Sequence, residues 1–335
     1  MMKKTLLVLA LTLALLCAAA APAGASLTYK GSTDLSTLKQ DGVTFDKASR
    51  RLIFNNASIE TTDMYNVFKI TDDTVIEIVL VGSSTITAAP GVKASAFQVQ
   101  GSLMISGSGT LDISSGGNMY VSGDLTIDGA SVSLTAYDKR STGLSAHNLT
   151  MTNGAELSVL SDSDIAAAVD IGKTLRLDGG STLDAENEGE RHSLRVGIEG
   201  TVTDGSTVFA AGSYNDARSE HTLYGEVVVS KGGALVITTD EDDGMPEKEK
   251  KDESSVRVHG ADGKKLTIKE SADSDDWTMH YAHKKDGGNW ITIIRSTPKA
   301  ASLPATGDGS APVALLALTA AGMCAAFFAL RRRKG

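Results

Sequence analysis

Apolar residues return along the chain at an interval too long for a single strand or helix turn and too regular for chance. The last apolar residue before each turn is Phe54, Leu80, Ile105, Ile127, Met151, Leu177, Val202 and Val229, at intervals of 26, 25, 22, 24, 26, 25 and 27 residues. Five or six residues after each comes a second apolar position: Ile59, Ile86, Leu111, Val132, Leu157, Leu183, Val208 and Leu235. A third set follows in most units, with Val67 and Phe68, Phe97 and Val99, Met119 and Val121, Leu144 and Ala146, Val169 and Ile171, Leu194 and Val196, and Leu223. Inside a unit the alternation is that of a strand, Leu125, Ile127, Val132 and Leu134 pointing one way and Thr126, Asp128, Ser131 and Ser133 the other. Each unit therefore predicts three short strands. Units this small cannot bury their own apolar sides, so they must stack on one another. Asp128-Gly129, Asn153-Gly154, Asp178-Gly179 and Asp204-Gly205 mark a corner, where glycine takes positive φ and Asn or Asp bonds nearby backbone.

The ends of such a stack need cover, because a bare terminal rung offers unpaired backbone groups to other chains. Val43-Thr44-Phe45 and Leu52-Ile53-Phe54 predict a capping pair at the start. Residues 241–255, where Glu241-Asp242-Asp243 leads through Pro246 into the mixed-charge run Glu247 to Glu253, predict a charged, solvated loop. Residues 256–295 predict a C-terminal β cap, including a hairpin of Trp277 to Tyr281 and Trp290 to Ile293 joined through Asp286-Gly287-Gly288; residues 296–302 form a short linker. The fold class is all-β: a right-handed, single-stranded parallel β-helix of about eight rungs, lying with its N-terminal cap in residues 26–240. With rungs ~4.8 Å apart, eight of them extend on the order of 40 Å.

Composition sharpens this picture. Of 335 residues 41% are hydrophobic but only 5% aromatic, and 34 are glycine, which suits strands joined by many turns. The net charge is −9. Setting aside the terminal Lys3, Lys4, Asp308 and Arg331 to Lys334 leaves 26 basic and 40 acidic residues, a net −14. Such a surface repels nucleic acid phosphates, so no nucleic acid partner is expected. Both cysteines, Cys17 and Cys324, fall in apolar end segments, leaving the region between without a thiol.

Those end segments have recognisable chemistry. Residues 1–25 combine a basic start, an apolar run from Leu6 to Ala21 and small residues up to a cleavage site at Ala23, Ala25 and Ser26, the pattern of a secretory signal. Residues 303–335 run Leu303-Pro304-Ala305-Thr306-Gly307, then apolar from Ala311 to Leu330, then Arg331-Arg332-Arg333-Lys334. Twenty helical residues span ~30 Å, a bilayer's hydrocarbon thickness, and the basic tail stays cytoplasmic. This segment resembles the sorting signal of Gram-positive wall-anchored surface proteins. The resemblance implies that a sortase cuts between Thr306 and Gly307 and joins the Thr306 carbonyl to a peptidoglycan amine. The chain would then sit covalently on the cell wall's outer side and touch the membrane only before sorting.

The repeats resemble bacterial surface β-helix domains grouped with carbohydrate-binding modules and, more distantly, pectate-lyase-like β-helices, over roughly residues 43–240. The expected role is non-enzymatic: an adhesin or carbohydrate-binding surface protein whose partners are sortase, peptidoglycan and a polysaccharide or host glycan, with no cofactor and no metal. Aromatic rings are platforms for sugars, which makes Tyr214, Tyr224, Trp277, Tyr281 and Trp290 the glycan-binding candidates. The alternative is a secreted polysaccharide lyase or glycosidase. Its best candidates are Arg176, Asp178 and Asp128, with Thr152 on the intervening rung, which puts the two carboxylates about 10 Å apart, just past the inverting range. Turn hydrogen bonding accounts for the same aspartates without catalysis. Asp240 to Gly244 lacks the ligand spacing of a calcium loop, and the six histidines show no metal-ligand spacing.

Overall fold

Three stacks of short strands realise the alternation, each strand hydrogen-bonded in parallel to its counterpart one repeat later. They are seen in a computed structural model that describes residues 27–29, 33–62, 66–71, 73–89, 91–117, 119–212, 223–239, 247–251, 256–261, 264–271, 277–286 and 288–298. Residues 1–25, expected to be a secretory signal, Tyr214, Leu303 to Gly307 and the apolar run Ala311 to Leu330 lie outside those residues. Among the described residues no helix is long and apolar enough to cross a membrane. Leu35–Thr37 is a single 3-10 turn.

The first face begins with Arg51–Asn55, Ile76–Val81 and Leu103–Gly107 and ends with the last residues of Leu223–Val229. The second face runs from Ser58–Thr61 to Ala234–Thr239, and the third from Phe68–Ile70 to the start of Leu223–Val229. Together they make a β-solenoid of about seven complete turns. The eighth anchor, Val229, belongs to a further partial turn that has only its first two faces, which is why the count of about eight rungs comes out one lower.

The core is the inside of this coil. Leu125, Ile127, Val132 and Leu134 are buried, while Thr126, Asp128, Ser131 and Ser133 stand on the outer side. Fully burying such a side chain is worth about 1.5–3 kcal/mol, so stacked columns of them offset the ordering entropy of the strands. Near the N-terminal end the column is aromatic: Phe68 stacks on Phe97 with centroids 5.1 Å apart and planes 13° apart, and Phe54 and Tyr29 pack on Phe68.

The register differs from the sequence alignment at one step. Ile105 pairs with Ile78, not Leu80, and Leu80 pairs with Gly107; on the second face Ile86 likewise pairs with Ile113 instead of Leu111. A two-residue slip leaves every inward side chain inward, so hydrophobic pattern alone cannot detect it. Gly107 accommodates this register: its φ is 102°, and a Cβ there would lie 2.4 Å from the Leu80 carbonyl oxygen. On the third face the first inward pair is Phe68 and Ile70, which pair with Phe97 and Val99. Val67, buried just before that strand, imitated the pattern.

Both ends close with reversed strands, which end the coil because an antiparallel neighbour does not start another parallel turn. Val43–Asp46 lies antiparallel on Arg51–Asn55, and Leu27–Tyr29 on Phe68–Ile70. At the other end Val256–Ala261 lies antiparallel on the last first-face strand, and Asn289–Pro298 on Ala234–Thr239. Asn289–Pro298 makes a hairpin with Trp277–Asp286, and the pairing of Pro298 with Trp277 carries the cap into the stretch expected to be linker. The charged loop expected over 241–255 contains a strand, Glu247–Lys251, paired in parallel with Lys264–Ser271. Its Glu-Lys alternation carries no apolar signal. Backbone pairing to a neighbour makes it a strand, and a charged sequence suits a sheet edge.

One buried polar residue joins consecutive turns. Asn187 is fully buried; its Oδ1 accepts from the Ser163 and Gly189 amides at 3.0 and 3.1 Å, and its Nδ2 donates to the Ser163 and Arg191 carbonyls at 3.1 and 3.0 Å. Asn187→Ala would strand buried donors and acceptors in two turns, a loss of about 3 kcal/mol. Chemical denaturation should show it as a lower midpoint, whereas an unchanged midpoint would mean that water replaces the amide.

Candidate functional site

The corner carboxylates are held by their own neighbours. Asp128 accepts hydrogen bonds from the Thr152 hydroxyl at 3.0 Å and the Asn153 amide at 2.5 Å, both on the next turn. Asp178, just past the end of the strand Thr174–Leu177, pairs with Arg176 of that strand, at 2.9 Å to Nε and 2.8 Å to Nη2. The four residues named from the sequence thus do sit on consecutive rungs, but as two separate pairs. The corner geometry also accounts for the residue types: Gly129 and Gly179 have φ of 65° and 62°, and Asn153 and Asp204 themselves take the left-handed conformation at 56° and 51°.

The aromatic candidates separate into two places. Trp277, Tyr281 and Trp290 share one side of the hairpin, the side on which Ile294 is buried and Tyr281 packs against the core. Trp277 lies against the corner at Gly232. Trp290 stacks on His283, with centroids 4.9 Å apart and planes 10° apart, and Lys285 Nζ is 5.6 Å from its ring centroid. His280 points to the opposite side and bonds the Thr297 hydroxyl at 2.8 Å.

Tyr224 stands elsewhere, on the outside of the third face. Third-face strands such as Phe97–Val99 expose a single residue between two buried ones. Their outward positions therefore form one column: Lys69, Gln98, Tyr120, Ser145, Asp170, Arg195 and Tyr224. All seven can hydrogen-bond, and none is aliphatic. Tyr120 is 39% exposed. Arg195 donates to Asp170 at 2.7 Å across adjacent turns, and its guanidinium carbon lies 5.9 Å from the Tyr224 ring centroid. His192 also packs on that ring at 5.3 Å. The sequence held most of this column, since Gln98, Tyr120, Ser145, Asp170 and Arg195 each sit between two apolar residues of a third-set strand, but it shows only once the register is known.

A pair of carboxylates also escaped the sequence reading. Asp184 and Glu186 both point outward from Thr182–Asn187 on the second face, with Ser158 and Phe209 beside Asp184 on the adjoining turns. The alternation Leu183-Asp184-Ala185-Glu186 already implied a common side. Asp184 Oδ1 is buried without a hydrogen-bond partner. Burial, and secondarily the Glu186 charge, pushes its pKa up to about 6. The native state then binds this proton more tightly than the unfolded chain, so the associated stability is present below the ordinary carboxylate pKa and lost as pH rises through about 6. Melting temperature should therefore rise as pH falls from about 7.5 to about 5, by the equivalent of roughly 1–1.5 kcal/mol. Asp34 and Asp46, held below the usual range mainly by hydrogen bonds from the Ser36 amide and the Ser49 hydroxyl, oppose this only at lower pH. Asp184→Asn should flatten the profile; an unaltered pH dependence would show that other groups cause it.

Among the described residues no three His, Cys, Asp or Glu side chains are grouped to hold a metal ion. Compared with known proteins, the chain matches no protein-family model, no curated protein and no solved structure.

Proposed function

We propose that the chain is a secreted surface protein of a Gram-positive bacterium, linked covalently to peptidoglycan through Thr306, and that its solenoid is a non-enzymatic, glycan-binding display element. The observation that carries this reading is the order Leu303-Pro304-Ala305-Thr306-Gly307, apolar run, basic tail. The three parts act separately, the first as acyl donor, the second as a span that halts export, and the third as a charge cluster that holds the tail inside. The β-solenoid supports the binding role, because it presents regularly spaced outward side chains on a rigid frame. The coil is right-handed in this proposal, as the crossover rule for parallel strands favours. Fractionation of cells producing the full chain tests the reading. Protein released from the wall only by muramidase supports it; protein confined to cytoplasm or medium contradicts it.

A second reading, a polysaccharide lyase or glycosidase, is favoured by Asp184 and Glu186. A carboxyl that keeps its proton to about pH 6 beside a second carboxylate has the makings of a general acid and its partner. Reducing-end and unsaturated-product assays on a polysaccharide panel decide between the two. Turnover abolished by Asp184→Asn would replace the binding role with a catalytic one.

A further inference from the structure

We infer that the outward column of the third face is a track for an extended, neutral, β-linked polysaccharide lying parallel to the solenoid axis. This rests on the glycan-binding reading above and gives it a site and a ligand class.

The geometry of the column carries the inference. Register pairing places one outward side chain per turn in the order Tyr120, Ser145, Asp170, Arg195, Tyr224. Parallel strands set these about 4.8 Å apart, which is close to the length of one pyranose residue in an extended chain, so the two tyrosines stand on the order of 19 Å apart. Each turn can therefore address one sugar. Tyrosine rings at the two ends supply apolar, polarisable surface for the C–H faces of sugar rings. Between them, Ser145 and the Asp170–Arg195 pair offer donors and acceptors. That pair is partly exposed, with side chains 28% and 44% accessible. The Asp170 carboxylate can accept from one hydroxyl while the Arg195 guanidinium donates to the next, which matches neighbouring hydroxyls on a neutral sugar.

Charge selects against acidic glycans. Between the two tyrosines the charges of Asp170 and Arg195 cancel, and the region between the terminal segments carries a net −14. A uronic or sialic acid polymer would approach against that field, whereas a neutral chain would not. The other two faces fit a sugar chain less well. The first displays Ile53, Val79 and Met104 outward among polar residues, and the second turns apolar at Phe209 and Val236.

The test is affinity electrophoresis and titration calorimetry of the whole solenoid fragment, residues 26–299, against a soluble β-1,4-linked glucan, a β-linked mannan and, as an acidic comparison, polygalacturonate. Binding to a neutral polymer that Tyr120→Ala weakens at least about tenfold, with further loss in Tyr120→Ala combined with Tyr224→Ala, is the expected result. Ser145→Trp, which fills the middle of the track, should also abolish it. Circular dichroism separates loss of binding from loss of fold, and Tyr120→Ala, at an exposed position, is expected to melt like the parent. Neutral-glycan binding that survives all three substitutions overturns the track and leaves the glycan-binding role standing. Preference for polygalacturonate overturns the ligand class, and no binding to any polymer overturns both the track and the role it rests on.

Discussion

Leu149→Asp is expected to unfold the whole solenoid, not merely one turn. Leu149 is fully buried on the first face, paired with Leu125 on one side and Leu175 on the other. Losing its side chain alone would cost about 2–5 kcal/mol, and burying an unpaired carboxylate there adds several more. Domains have only about 5–15 kcal/mol in reserve. Turns in a stack are stabilised by their neighbours, so removing a middle one also uncovers the turns above and below. Thr150→Asp provides the control, because Thr150 is the next residue and points outward. It should change the melting temperature little. Circular dichroism and thermal melting of both variants check the assignment; a Leu149→Asp protein that melts like the parent would mean that the inward side has been misplaced.

The three-strand turn, the inward columns and the capping pair at Val43–Asp46 were legible because each depends on local alternation. The register between Leu80 and Gly107 was not, since two residues of slip leave alternation intact and only the close approach over the Leu80 carbonyl reveals it. Strand Glu247–Lys251 was hidden for another reason: its pairing is through backbone, and its sequence reads as solvated charge. For the sites, the sequence could name residue types but not neighbours. Asp128 and Asp178 were named both as candidates for an enzyme and as corner residues bonded within their turns, and the sequence did not show that Thr152, Asn153 and Arg176 are their partners. Tyr224 was named for its ring, while the column that gives it meaning spans residues from Lys69 onward, more than 150 positions away in the chain.

Thr306→Ala is expected to abolish wall attachment while leaving the solenoid folded. In the proposed reaction the Thr306–Gly307 peptide bond breaks, the threonyl carbonyl passes to the sortase thiol, and a peptidoglycan amine then displaces that thiol to form a new amide. Replacing Thr306 changes the residue that the enzyme must hold and acylate through, so full-length protein should collect in the membrane fraction, retained by Ala311 to Leu330 and the basic tail. The change lies outside the repeats and should not affect melting.

Mass spectrometry of muramidase-released wall protein examines that bond directly. The C-terminal proteolytic peptide of the parent should end at Thr306, its carbonyl in amide linkage to a peptidoglycan stem or cross-bridge amine, with nothing from Gly307 onward. A wall-bound protein whose C-terminal peptide reads through Gly307 into the apolar run, or a Thr306→Ala protein still covalently attached to peptidoglycan fragments, would contradict anchoring at this residue.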